Sequence, residues 1–180
     1  MHDGVGSQLL GLIIQVRARK IDDHRLLHGL TSCLDDVKLI VDSLDPLERT
    51  FDVAIGEFRS RLEPKCAAAG ISVNWLTDLE LARITPAQTL QVLRALQEMT
   101  TNAIRHSRTE RLDVSLRPID GLARIFEAVV RDFGTGIGEN VPTQAGRGMT
   151  SLKTRAQRLG GALTVESAHP GTRVTLRFPM

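Results

Sequence analysis

There is no tyrosine in this chain of 180 residues, a single tryptophan, and an aromatic content of only 3%. A surface that grips single-stranded nucleic acid by stacking bases needs more aromatic faces than that. A net charge of +2, from 23 basic and 21 acidic residues, gives no general attraction to nucleic acid or to an anionic membrane either, so any anion binding has to be local. Cysteine is scarce: Cys33 and Cys66 lie far apart in stretches of helical pattern. They read as reduced, semi-buried thiols rather than a disulfide or a zinc site, which makes a cytoplasmic setting the default. Long hydrophobic runs are missing too. The longest, LLGLII at 9–14, is far short of the ~20 residues a spanning helix needs, and no signal-peptide pattern precedes it. The expectation is a chain without membrane contact and without a nucleic-acid partner.

What is present is an ordinary globular mixture, 42% apolar and 24% charged, in a length that suits one domain or two small elements. Apolar residues fall first at Val5, Leu9, Leu12 and Val16, then again at Leu26, Leu30, Cys33 or Leu34, Val37, Val41 and Leu44 until Pro46. That step of fours and threes predicts a helical hairpin. Two helices cannot enclose a core alone, and pairing two hairpins into a four-helix bundle would complete it, so a homodimer is expected. Residues 47–69 read as a third, connecting helix interrupted or restarted at Pro64, with Gly70 as its C-terminal cap. Beyond Gly70 the period changes. ISVNWL, LDVSLRP, ARIFEAVVRD, ALTVESA and TRVTLRF read as strands; TPAQ at 85–88 opens a helix to about Ser107, and another spans Met149 to Leu159. The predicted class is α+β: a hairpin module with its connector over residues 1–68, then an α/β sandwich over 69–180 with helices on one face.

Three stretches of the second half carry chemistry. In QEMTTNAIRHS (97–107), Glu98 and Asn102 are four apart on one helix face and offer hard oxygen ligands suited to Mg²⁺ or its waters. In VVRDFGTGIGEN (129–140), Asp132 ends a strand and can accept a hydrogen bond from an exocyclic amine, while Gly134, Gly136 and Gly138 let backbone N–H groups approach a ligand. In AGRGMTSLKTRAQRLGG (145–161), Gly146 and Gly148 stand just before a helix, whose free N–H groups make a phosphate site. Taken singly, each has a plainer reading: a solvated polar face, a glycine turn, a helix start.

Taken in order, they resemble the asparagine box and the two glycine boxes of the GHKL (Bergerat) ATP-binding fold of histidine kinases, gyrase and Hsp90, and GTRVTLRF at 171–178 resembles the last strand of the histidine kinases in that group. The resemblance implies an ATP site in which Asn102 binds Mg²⁺, Glu98 assists it, and Asp132 takes the adenine amine. Gly134, Gly136, Gly146 and Gly148 would shape the lid and phosphate pocket, Thr172 would lie near the adenine, and residues 139–147 would form the lid. The start HDGVGSQL ahead of such a domain is similar to the dimerisation and phosphoacceptor module of the NarL-associated class of sensor histidine kinases.

For that class the implied reaction is autophosphorylation of His2 by ATP, with Asp3 orienting the ring or taking its proton, followed by transfer to an aspartate of a response regulator receiver domain. The competing expectation is a nucleotide-binding, kinase-inactive module that scaffolds partners. Two departures from the family pattern stand out. The motif commonly reads H-D-x-x-x-Q, and here Ser7 holds the glutamine's place with Gln8 one residue on, a turn of about 100° around the helix. Only Met1 precedes His2, so the expectation is the C-terminal catalytic piece of a longer sensor.

Overall fold

The computed structural model describes residues 5–23, 25–27, 29–31, 33–34, 37, 50–80, 82–119, 124–136 and 147–180. The chain divides into two compact units, Met1–Glu48 and Arg49–Met180.

The first unit is the hairpin. Helix α1 (Val5–Arg17) gives way to a turn in which Arg19 takes a left-handed φ of 49°. Described residues between 23 and 37 are helical again, with Asp22 capping them by accepting the Arg25 N–H at 2.7 Å. The two arms touch where Gly29 leaves room for Leu12 and where the Cys33 thiol donates to Gln8 Oε1 at 3.4 Å. That contact turns Gln8 toward the second arm. Much of the apolar stripe stays uncovered, with Leu10, Ile14, Leu27 and Leu34 more than half exposed.

The second unit begins with α2 (Phe51–Ala68), continues through β1 (Ser72–Thr77), α3 (Pro86–His106), β2 (Arg111–Ile119) and β3 (Ile125–Asp132), and closes with α4 (Arg147–Arg158), β4 (Ala162–Ser167) and β5 (Thr172–Pro179). Helix α2 runs unbroken through Pro64, where the sequence pattern suggested an interruption. Pro64 is exposed, and burial of Phe58, Leu62 and Cys66 on the other face holds the helix despite the missing N–H. It ends at Gly70, φ +72°, with Gly70 N–H bonded to Ala67 O and Ile71 N–H to Cys66 O, a Schellman cap. Helix α3 starts with the expected capping box, Thr85 Oγ1 accepting from Gln88 N–H and the Gln88 side chain returning to the Thr85 N–H.

The strands form one sheet in the order β1-β2-β3-β5-β4. Strands β1 and β2 are parallel, with α3 as the crossover; the other pairs are antiparallel. Register puts Phe126 opposite Phe178, Ala128 opposite Leu176 and Val130 opposite Val174, a row that buries against α3 residues Val92, Leu96, Met99 and Ala103 at steps of four, three and four. The alternate residues form the other sheet face, where buried Glu127 bonds both Arg117 and Arg177. Helix α2 belongs to this core: Phe51 meets Phe126 edge-on at 5.3 Å, and Phe58 meets Trp75 at 6.4 Å. The structural boundary therefore falls before α2, whereas the change of period alone places it at 68/69.

Candidate nucleotide site

The C-terminal half of α3, the end of β3, the start of α4 and the β4–β5 turn converge. Glu98 and Asn102 lie on the α3 face toward α4, and Gly148, in the first turn of α4, packs against both. A Cβ on Gly148 would run into Glu98 Oε1 and stand 3.5 Å from Asn102 Nδ2. A helix N-terminus, with its unpaired N–H groups, thus opens beside a carboxylate and an amide. With any larger residue there, the Glu98 carboxylate would have to move aside.

Asp132 ends β3 and is 6% exposed. One carboxylate oxygen, Oδ1, accepts the Gly134 N–H at 3.0 Å. Gly171 presses on its main chain so closely that any Cβ there would overlap the Asp132 carbonyl, and Gly171 itself takes φ +92°. Gly136, φ +72°, lies next to the Gly171 carbonyl. Thr172 is half-buried and opens β5 opposite Ser167. Asp132, Gly134, Gly136 and Thr172 are therefore brought to one end of the site. The last turn of α3 joins this end to the Glu98–Asn102 end. Gly134 sits on the Ser107 carbonyl, which accepts the Thr135 N–H at 2.8 Å.

Helix α4 begins at Arg147, two residues before the pattern suggested. Among the described residues no three His, Cys, Asp or Glu side chains gather to hold a metal ion, and no helix is long and apolar enough to cross a membrane. Cys33 and Cys66 are buried and neither is in a disulfide; burial, with Glu63 nearby, pushes the Cys66 thiol above its ordinary pKa. His2, Asp3, Gly138 and Gly146 and the expected lid up to 146 lie outside the described residues, as does the Ser7 side chain. Gly171, which immediately precedes Thr172 in HPGTRV, belongs to this end of the site although no spacing in the sequence marks it. Nothing in the spacing marks Ser107 or Thr109 either.

The fold is that of an ATPase family. Residues 87–180 match the family of histidine kinase-, DNA gyrase B- and HSP90-like ATPases, and the chain belongs to that family. Its relatives include the oxygen sensor histidine kinase NreB of Staphylococcus carnosus, 27% identical over 100% of this chain and 54% of the relative. Another is the sensor histidine kinase YxjM of Bacillus subtilis, 25% identical over 100% of this chain and 46% of the relative. The chain thus spans about half the length of the curated relatives it matches. Among solved structures, the blue-light activated histidine kinase of Erythrobacter litoralis superposes with a TM-score of 0.70 at 19% identity, covering 99% of this chain and 61% of that one. The histidine kinase AdeS of Acinetobacter baumannii gives 0.59 at 16%, covering 98% and 95%. The resemblance to sensor histidine kinases read from the motifs is borne out, as is the α/β sandwich.

Proposed function

We propose that this chain is the catalytic core of a two-component sensor histidine kinase, which uses ATP to phosphorylate His2 and then passes the phosphoryl group to an aspartate of a response regulator. The observation that carries the ATP site is the packing of Gly148, at the N-terminus of α4, against Glu98 and Asn102. Backbone N–H groups of α4 would hold phosphate oxygens, and Asn102, assisted by Glu98, would hold Mg²⁺. Mg²⁺ supplies neutralisation of the phosphate charge. Asp132 Oδ1 is committed to Gly134, which leaves Oδ2 to accept from the adenine amine. Gly134, Gly136 and Thr172 line the purine end and Gly148 the phosphate end, and the resemblance implies a phosphate role for Gly146.

In the transfer step a neutral imidazole nitrogen of His2 forms a bond to the γ-phosphorus while the bond to the β–γ bridging oxygen breaks and ADP leaves. Asp3 accepts the proton from the other ring nitrogen, fixing the tautomer. The uncovered stripe of Leu10, Ile14, Leu27 and Leu34 supports pairing of two hairpins into a four-helix bundle. The resemblance implies that the glutamine of H-D-x-x-x-Q positions water for dephosphorylating the partner regulator, so with Ser7 in its place that activity is expected to be weak.

Incubation with labelled ATP and Mg²⁺ tests this. An acid-labile, alkali-stable phosphoprotein should form and be absent in His2→Gln. Nucleotide binding with no phosphohistidine in the wild type would favour the kinase-inactive scaffold instead.

A further inference from the structure

Three successive backbone N–H groups follow Asp132, and each has a different partner. Phe133 donates to Thr109 Oγ1 at 3.0 Å, Gly134 to Asp132 Oδ1 at 3.0 Å, and Thr135 to the Ser107 carbonyl at 2.8 Å. Two of the three acceptors thus come from the short turn that ends α3. The Thr109 hydroxyl is fully used: it donates to Arg111 O at 2.6 Å and accepts from Arg111 N–H at 3.2 Å as well as from Phe133. A hydroxyl has one donor and two acceptor sites, so no capacity is left. With Thr109 only 7% exposed and Ser107 5% exposed, water has little access to replace these bonds. The turn is held as well, because Thr109 N–H bonds Ser107 Oγ at 3.3 Å across Arg108, whose φ of +52° is one that residues with a side chain seldom adopt.

We propose that Thr109 is a positioning residue for Asp132: its Oγ1 fixes the peptide that follows the carboxylate, and with it the direction in which Oδ2 faces the purine amine. The inference rests on the ATP-site reading above and adds to it the group that aims the adenine contact. A residue that only stiffened the domain would weaken every nucleotide alike. One that aims Asp132 acts on the single contact Asp132 makes, and two ligands separate these cases. ATP carries an amine at the purine 6-position where inosine triphosphate carries a carbonyl oxygen, and the two share ribose and triphosphate.

The dissociation constants of both nucleotides, measured by calorimetry with Mg²⁺ on the full chain, test this. The wild type should prefer ATP. Thr109→Val keeps the shape and leaves the Phe133 N–H without its acceptor; ATP binding should weaken about tenfold and inosine triphosphate binding less than about threefold, so the preference collapses. Thr109→Ser, which retains the oxygen, should restore it. If Thr109→Val does not fold, Thr109→Cys, a poor acceptor of similar size, carries the same prediction. An unchanged preference in the acceptor-deficient variant, whether both nucleotides weaken together or neither does, overturns the proposal while leaving the ATP site standing. A wild type that binds neither nucleotide overturns the ATP-site reading and this inference with it, and one that binds both equally overturns the Asp132–amine contact on which the inference rests.

Discussion

Replacing Gly148 by alanine separates what the site needs from what the fold needs. The residue is second in α4, where exchanging glycine for alanine favours the helix by up to about 1 kcal/mol. Against that, the new methyl group would overlap Glu98 Oε1 and touch Asn102 Nδ2 at 3.5 Å. Glu98 Oε1 is the far end of a flexible side chain, so it can swing aside at a cost of about 0.5–1.5 kcal/mol. The two effects nearly cancel, and the melting temperature without nucleotide should move by less than about 4 °C. Binding should not be spared: the carboxylate is displaced and the approach of phosphate to the α4 N–H groups is narrowed, a loss of about 1–2 kcal/mol, or roughly tenfold in affinity. Gly134→Ala is the contrast, because its methyl group would meet the Ser107 backbone carbonyl. That atom cannot rotate away, so the cost falls on stability, about 1–3 kcal/mol. Thermal melts and MgATP calorimetry on both variants decide the matter. A Gly148→Ala protein that binds MgATP like the wild type, or that is destabilised as much as Gly134→Ala, would refute the reasoning.

Phe126→Ala removes a side chain with no exposed surface that contacts Phe51 at 5.3 Å and Phe178 at 5.5 Å; urea denaturation should show a loss of about 3–5 kcal/mol. Because α2 supplies Phe51 to that cluster, a fragment of residues 49–180 should unfold cooperatively and one of 69–180 should be far less stable, and equal stability would contradict the boundary before α2. Glu127→Ala leaves Arg117 and Arg177 facing each other without the carboxylate both now bond, which should cost about 1–3 kcal/mol in the same assay, the guanidiniums being more than half exposed and partly screened. Ile14→Glu, on the uncovered face of the hairpin, should shift sedimentation from dimer to monomer with the melting of the ATP-binding unit unchanged.

Features set by a few adjacent residues were legible from the sequence. The capping box of Thr85 and Gln88 needs only four positions, the glycine cap at Gly70 is local, and the alternation in the strands states which side chains face the core. Glu98, Asn102, Asp132, Gly134 and Gly148 were legible as separate motifs because each rests on a spacing within one element. Less legible was whatever depends on a distant partner. Helix α2 carries an apolar stripe that would suit either neighbour, and only its contacts with Phe126 and Trp75 assign it to the sheet. Pro64 argues locally for a break that burial on the opposite face overrides. Gly171 and Thr109 matter because of Asp132 and Phe133, residues far from them along the chain. Short polar and small residues of that kind look the same in any loop.

Equilibrium titration with MgATP, comparing the wild type with Asp132→Asn, bears most directly on the claim that α3, α4 and the end of β3 form a nucleotide site. One saturable site per chain in the wild type, weakened at least about tenfold in the variant while the fold is retained, is the predicted result. Absence of saturable binding in the wild type, or equal affinity in the two proteins, would contradict the account.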